Sequence, residues 1–211
     1  MKITLDNIGR RFNRDWVFQD LSYVFEAGNS YAILGANGTG KSTLLQIIAG
    51  NLTASAGTIS YSDNKKAIDI EKVYSYLSFA APYLDLIEEF TVPEIASFNF
   101  SFKSYRDGMD LEAFYDLLEL QNIKYKALKY FSSGMKQRVK LALAFCAGTP
   151  VLLLDEPTAN LDLQGISWYL SLIEKYSANR LLIICSNQEN EYSFCTEKLN
   201  ISNYKVSLNN R

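Results

Sequence analysis

The eight residues Gly35 to Ser42, GANGTGKS, fit the pattern G-x-x-x-x-G-K-[ST], and few folds accommodate it. A loop that wraps a polyphosphate must aim several backbone N–H groups at one set of oxygens. Gly35, Gly38 and Gly40 remove the Cβ atoms that would block that approach. Lys41 then supplies a cation for the β- and γ-phosphates and Ser42 a hydroxyl for Mg²⁺, with Asn37, Thr39 and Thr43 completing the polar lining. Chance alone produces the pattern in about one chain of this length in a hundred. Its flanks argue further against chance. Ser30 to Leu34 reads as a short buried strand entering the loop, and Thr43 to Ala49 as a helix leaving it, stopped by Gly50. A nucleoside triphosphate with Mg²⁺ is the expected ligand.

A second stretch completes such a site. Val151 to Leu154 is a continuous apolar run between turn signals, as expected of a strand buried on both faces, and it ends in Asp155-Glu156-Pro157. A carboxylate at the end of a central strand can hold Mg²⁺ together with Ser42, and its neighbour can orient and deprotonate an attacking water. Asp155 is assigned the first role and Glu156 the second.

Composition removes several alternatives. The net charge of -2, from 21 Lys+Arg against 23 Asp+Glu, imposes no basic surface, so no nucleic-acid partner is expected. The chain has no histidine, which excludes His-based catalysis and His metal ligands. Cys146, Cys185 and Cys195 lack zinc-site spacing and lie in or beside apolar stretches, as buried free thiols do. The longest apolar runs, Leu141 to Ala147 and Leu181 to Cys185, are too short to span a bilayer. Arg10-Arg11 is followed by polar residues rather than an apolar export segment, so a cytoplasmic location is expected.

Along the chain, Lys2 to Gly9 and Trp16 to Glu26 alternate as strands of a small antiparallel sheet, with Gly57 to Tyr61 and Val73 to Phe79 expected to extend it across a polar turn at Ser62 to Lys66. Phe12 and Trp16 lie on a polar, basic segment, where an aromatic is either a stacking platform for a base or a core residue. Val92 to Phe100 and Leu111 to Leu120 read as helices of an insertion, and the alternation of Phe98, Phe100 and Phe102 fits an extended piece or an aromatic docking surface as well as core packing, which is the expected reading. Ser132 and Ser133 are good N-caps for a helix from Gly134 to Ala147, whose apolar stripe is Val139, Ala142, Leu143 and Cys146.

Shortly before the Asp155 strand stands Phe131 to Arg138, FSSGMKQR, which resembles the signature L-S-G-G-Q-x-Q-R of ATP-binding cassette (ABC) proteins. Ala159 to Asp162, ANLD, resembles the loop that follows in that family. The resemblance covers nearly the whole chain and implies an α/β fold: a P-loop NTPase (RecA-like) core with an N-terminal antiparallel β-subdomain and an inserted α-helical subdomain. The implied division is one cassette over 1–211, with 1–82 and 148–211 forming the core and 83–147 the helical part.

The resemblance further implies a head-to-tail dimer in which Ser132, Ser133 and Gly134 bind the ATP of the partner protomer, with Asp162 serving communication across the dimer. It also implies a separate transmembrane permease subunit and peripheral attachment to the cytoplasmic face of the membrane. The chain departs from the family pattern at four places. Ser133 replaces a glycine and Met135 a glutamine in the signature. Ala80 to Leu84, AAPYL, lacks the glutamine that approaches Mg²⁺, and Asn187 stands where a histidine contacts the γ-phosphate. Asn keeps a donor and an acceptor but is shorter and never charged. Two further readings stay open: a soluble ABC ATPase and a weakly hydrolysing regulatory cassette. The short interval between Lys41 and Asp155 leaves no room for a long coiled coil, which favours transport, and Glu156 favours turnover.

Overall fold

The computed structural model describes residues 1–205. Two sheets clasp one helix. The first is antiparallel, with strands β1 (Lys2–Phe12), β2 (Asp15–Glu26), β4 (Ala56–Asp63) and β5 (Lys66–Ile68) in the order β2-β1-β4-β5. The second is parallel and contains β3 (Ser30–Leu34), β6 (Leu77–Ala80), β7 (Val151–Asp155), β8 (Leu181–Cys185) and β9 (Glu197–Asn200), ordered β6-β7-β8-β3-β9. Helix α1 (Lys41–Ile48) lies between the sheets. Its Leu44, Leu45, Ile47 and Ile48 pack with Ile3, Leu5, Phe18 and Phe25 of the antiparallel sheet and with Ile33, Leu153 and Ile183 of the parallel one.

Period-two alternation explains why β7 and β8 read as unbroken apolar runs. Val151, Leu153, Leu181 and Ile183 face α1, while Leu152, Leu154, Leu182 and Ile184 face α4 (Ser133–Cys146) and α5 (Leu163–Tyr176) on the opposite side. A third cluster joins α2 (Val92–Phe100), α3 (Leu111–Leu118) and the remaining face of α4, through Val92, Ile95, Phe114, Val139 and Cys146. Helix α4 therefore belongs to two cores at once. This is why Leu141, Ala144 and Phe145 are buried in addition to the stripe read from the sequence.

Polar side chains close the helix ends. The Tyr61 hydroxyl donates to the carbonyls of Ile47 and Ile48, the last turn of α1, at 3.3 and 3.1 Å. Buried Arg180 donates to the carbonyls of Ala144 and Phe145 at the end of α4 and to Thr149 Oγ1 at 2.7 Å, and burial pulls its pKa down to about 9. At the start of β9's neighbour β3 the pairing is parallel throughout, and the residue after β9, Ile201, packs beneath the phosphate loop, where a Cβ on Gly35 would meet its Cγ2 at 2.8 Å.

Three expectations are corrected. The strand read over Val73 to Phe79 is a 3₁₀ helix at Ile70–Ser75 followed by the four-residue β6, and β6 belongs to the parallel sheet rather than extending the antiparallel one. The chain changes sheets here, and the tight turn buries Val73 while leaving Tyr74 exposed. The turn read over Ser62 to Lys66 narrows to Asn64 and Lys65, both at positive φ, between paired β4 and β5. Phe98 and Phe102 are exposed, and only Phe100 turns inward, stacking on Tyr105 at 3.7 Å and meeting Phe114 edge-on. Residues two apart on a helix lie on opposite sides, so an alternating aromatic pattern cannot face one core there. The three cysteines are buried and free, as expected, with burial raising the Cys146 and Cys195 thiols to about 12.

Candidate nucleotide site

Strand order assembles the site. Adjacent β7, β8 and β3 end side by side, bringing Asp155, the turn after Cys185 and the loop Gly35 to Gly40 together at the carboxyl edge of the sheet. Gly40 takes φ 102 as the residue preceding α1, and a Cβ there would meet Val17 Cγ1 at 2.5 Å. This glycine is required twice over, by conformation and by space. The helix N-terminus that follows points its free N–H groups into a cleft of about 330 Å³ lined by Phe12, Asn37, Lys41, Ser42, Thr43 and Glu156, among others.

In this cleft Lys41 is 95 % withdrawn from solvent, being 5 % exposed, and its ammonium donates to the carbonyls of Gly35 at 2.8 Å and Ala36 at 3.3 Å. Thr39 Oγ1 donates to Ala36 O at 2.7 Å and so turns inward to brace the loop. Phe12 is exposed at the rim with the Arg10 guanidinium 4.5 Å from its ring centre, which excludes the core reading of this aromatic. Asn187 is exposed in the turn after β8, and its Nδ2 donates to Asn37 Oδ1 of the phosphate loop.

Asp155 is buried at the end of β7. Tyr83 Oη donates to its Oδ2 at 2.9 Å, whereas Oδ1 is buried with no hydrogen-bond partner. Burial raises the Asp155 pKa, opposed by the Ser42 and Tyr83 hydroxyls and by Lys41, with Glu156 adding to the rise. An orphaned carboxylate oxygen beside a serine hydroxyl is a fit for Mg²⁺. Among the described residues no group of three or more His, Cys, Asp and Glu side chains forms a metal cage, and Mg²⁺ characteristically takes one or two carboxylates with substrate phosphates and water instead. Glu156 follows at φ 41, exposed, its N–H donating to Cys185 O at 2.8 Å.

The signature residues do not line this cleft. Ser132 caps α4, its Oγ accepting from Met135 N at 3.2 Å, and Ser132 and Ser133 face solvent. Asp162 caps α5, accepting from Gly165 N at 2.7 Å. Two contacts went unread in the sequence. Gln137, buried in α4, donates from Nε2 to Pro157 O at 2.9 Å, and a Cβ on Gly134 would stand 2.7 Å from Asn160 O. Signature helix and acid loop are thus pressed together within one chain. Gly134→Ala should therefore lower the unfolding free energy of the nucleotide-free protein by about 1–3 kcal/mol, the usual cost of overpacking. Urea denaturation checks this, and an unchanged midpoint would mean the loop yields freely.

A profile of the family described as ABC transporter matches residues 18–159. The chain belongs to the ABC transporter family. It is 31% identical over 196 residues to the sulfate/thiosulfate import ATP-binding protein CysA of Mesostigma viride, spanning 90% of this chain and 56% of that relative. It is 30% identical over 192 residues to the cytochrome c biogenesis ATP-binding export protein CcmA of Rhizobium etli, covering 90% and 89% of the two chains. In fold this ABC chain is similar to the ATP-binding cassette MJ0796, solved as a dimer in a post-hydrolysis state with ADP and Pi, at a TM-score of 0.81 and 22% identity over 97% of this chain and 96% of that one.

Proposed function

We propose that this cassette is a Mg²⁺-dependent ATPase that powers transport through a separate membrane-spanning permease. The observation that carries the reading is the meeting of Lys41, Glu156 and the orphaned Asp155 Oδ1 at one sheet edge. Backbone N–H groups of the loop and Lys41 bind the phosphates, Phe12 stacks the base, and Ser42 and Asp155 hold the cation. Bound there, Mg²⁺ neutralises charge that develops on the transferred phosphoryl group. Glu156 accepts the proton of the attacking water. Ser132 and Ser133, exposed at a helix start, serve with Gly134 the ATP of a head-to-tail partner, and Asp162 serves communication across that dimer.

Among the described residues no helix is long and apolar enough to cross a membrane, in keeping with a peripheral subunit. A second cleft, of about 380 Å³, opens between β6, the loop after it and the helical part, with Phe79, Leu84, Leu86, Ile95 and Phe98 in its walls. An apolar surface of this kind suits the permease. Purified chain should release phosphate from ATP with Mg²⁺ and stop in EDTA. Failure to bind or hydrolyse ATP in the presence of Mg²⁺, or hydrolysis undiminished in EDTA, would overturn the proposal.

Asn187 sets the rate in this reading. Its amide reaches the phosphate loop through Asn37, which supports a role for it as a short neutral donor toward the γ-phosphate. One weakened transition-state contact costs about 10²–10³ in rate. Slow hydrolysis is the expected basal state, Asn187→His should raise kcat and Asn187→Ala should lower it. Equal steady-state rates in all three proteins would remove this residue from the chemistry.

A further inference from the structure

Tyr83 sits in the loop that leaves β6, where the family pattern has its glutamine, and its contacts differ from those of a surface loop residue. Its hydroxyl reaches Asp155, 72 residues away in the chain, and donates to Oδ2 at 2.9 Å. The ring rests edge-on against Phe79 with centroids 6.4 Å apart. The loop is fastened on its other side as well, because Lys140 of α4 donates to the carbonyls of Ala81 at 3.3 Å and Pro82 at 2.6 Å.

These contacts divide the two oxygens of Asp155. Oδ2 is held by the phenol, which restrains rotation of the carboxylate, and Oδ1 is left buried without a partner. A neutral phenol gives that oxygen its hydrogen bond without adding charge that would compete with a cation. The residues that follow, Leu84 to Ile87, line the apolar cleft beside α2. One side chain therefore touches the metal-side carboxylate while its own backbone runs into the wall of a different cleft.

We propose that Tyr83 is the positioning residue that presents Asp155 Oδ1 to Mg²⁺ and ties the loop 81–87 to occupancy of the metal site. The proposal rests on the nucleotide-binding reading above. A merely structural Tyr83 would fill space against Phe79, and its hydroxyl would be dispensable.

Tyr83→Phe keeps the ring and removes the hydroxyl. Calorimetric ATP affinity is measured in EDTA and again in excess Mg²⁺, and the ratio of the two is the metal enhancement. In Tyr83→Phe that enhancement should fall about tenfold, the scale of a hydrogen bond to a charged group, while the EDTA affinity changes less than the enhancement does. In an Asp155→Asn background the same substitution should have no further effect on the ratio. Hydrogen exchange supplies a second readout: Mg²⁺-ATP should protect amides within 81–87 in the wild type and do so less in Tyr83→Phe. An enhancement and a protection pattern equal to wild type would overturn the role of Tyr83 alone. Equal losses with and without Mg²⁺ would reduce the residue to packing. A wild type whose affinity ignores Mg²⁺ would instead overturn the metal assignment on which the proposal stands.

Discussion

Glu156→Gln is expected to keep ATP affinity and to lower turnover by about 10²–10⁴, the share of a general base. Glu156 is isolated from its neighbour by geometry as much as by chemistry. Asp155 completes the ladder of β7 and is buried, whereas Glu156 turns out at φ 41, a conformation disfavoured for a non-glycine residue, with its N–H tied to Cys185 O. The strain places an exposed carboxylate on the cleft wall beside Lys41. Gln preserves the volume, removes the proton acceptor and removes one negative charge facing the phosphates. The variant should therefore accumulate with ATP bound, and size exclusion with Mg²⁺-ATP should show a dimer. Phosphate release within threefold of wild type would exclude Glu156 as the base.

Lys41→Ala should cost about 10²-fold in ATP affinity, on the scale of charge-assisted hydrogen bonds to phosphate. The ammonium bonds to the carbonyls of Gly35 and Ala36 inside its own loop. The cation is thus held in the cleft by its own loop and braces that loop in turn. Alanine removes the ligand contact and the internal brace together. Calorimetry decides the outcome, and unchanged affinity would abandon the phosphate-loop assignment.

How much of this could be read from residues alone depended on the distance over which each signal acts. The phosphate loop and the Asp155 strand were legible because each is a local pattern with its own physical reason, glycine geometry in one and two-sided burial in the other. The segment 73–79 was misread because a 3₁₀ turn burying Val73 and a strand burying alternate residues give similar short patterns. Phe98 and Phe102 were assigned to the core by hydrophobicity, yet they lie at helical spacing on an open face, 5.3 Å apart. Gln137 stands among Lys136, Arg138 and Lys140 and looks like part of a solvated face, and only the acid loop packed on it explains its burial. Tyr83 carried no local signal, because its partner Asp155 belongs to a strand formed much later in the sequence.

The parallel order that places β3 between β8 and β9 has a consequence for how this protein is made. The phosphate loop is translated early, but the strands on either side of β3 and the Ile201 side chain under Gly35 come from the last part of the described chain. Non-local parallel pairing is slow because loop closure must precede any gain from contact. A ribosome-bound chain that has exposed the GANGTGKS segment therefore has the chemical groups for a nucleotide but no rigid floor to hold them. Full competence to bind ATP is therefore expected only once β8, β9 and Ile201 have joined β3.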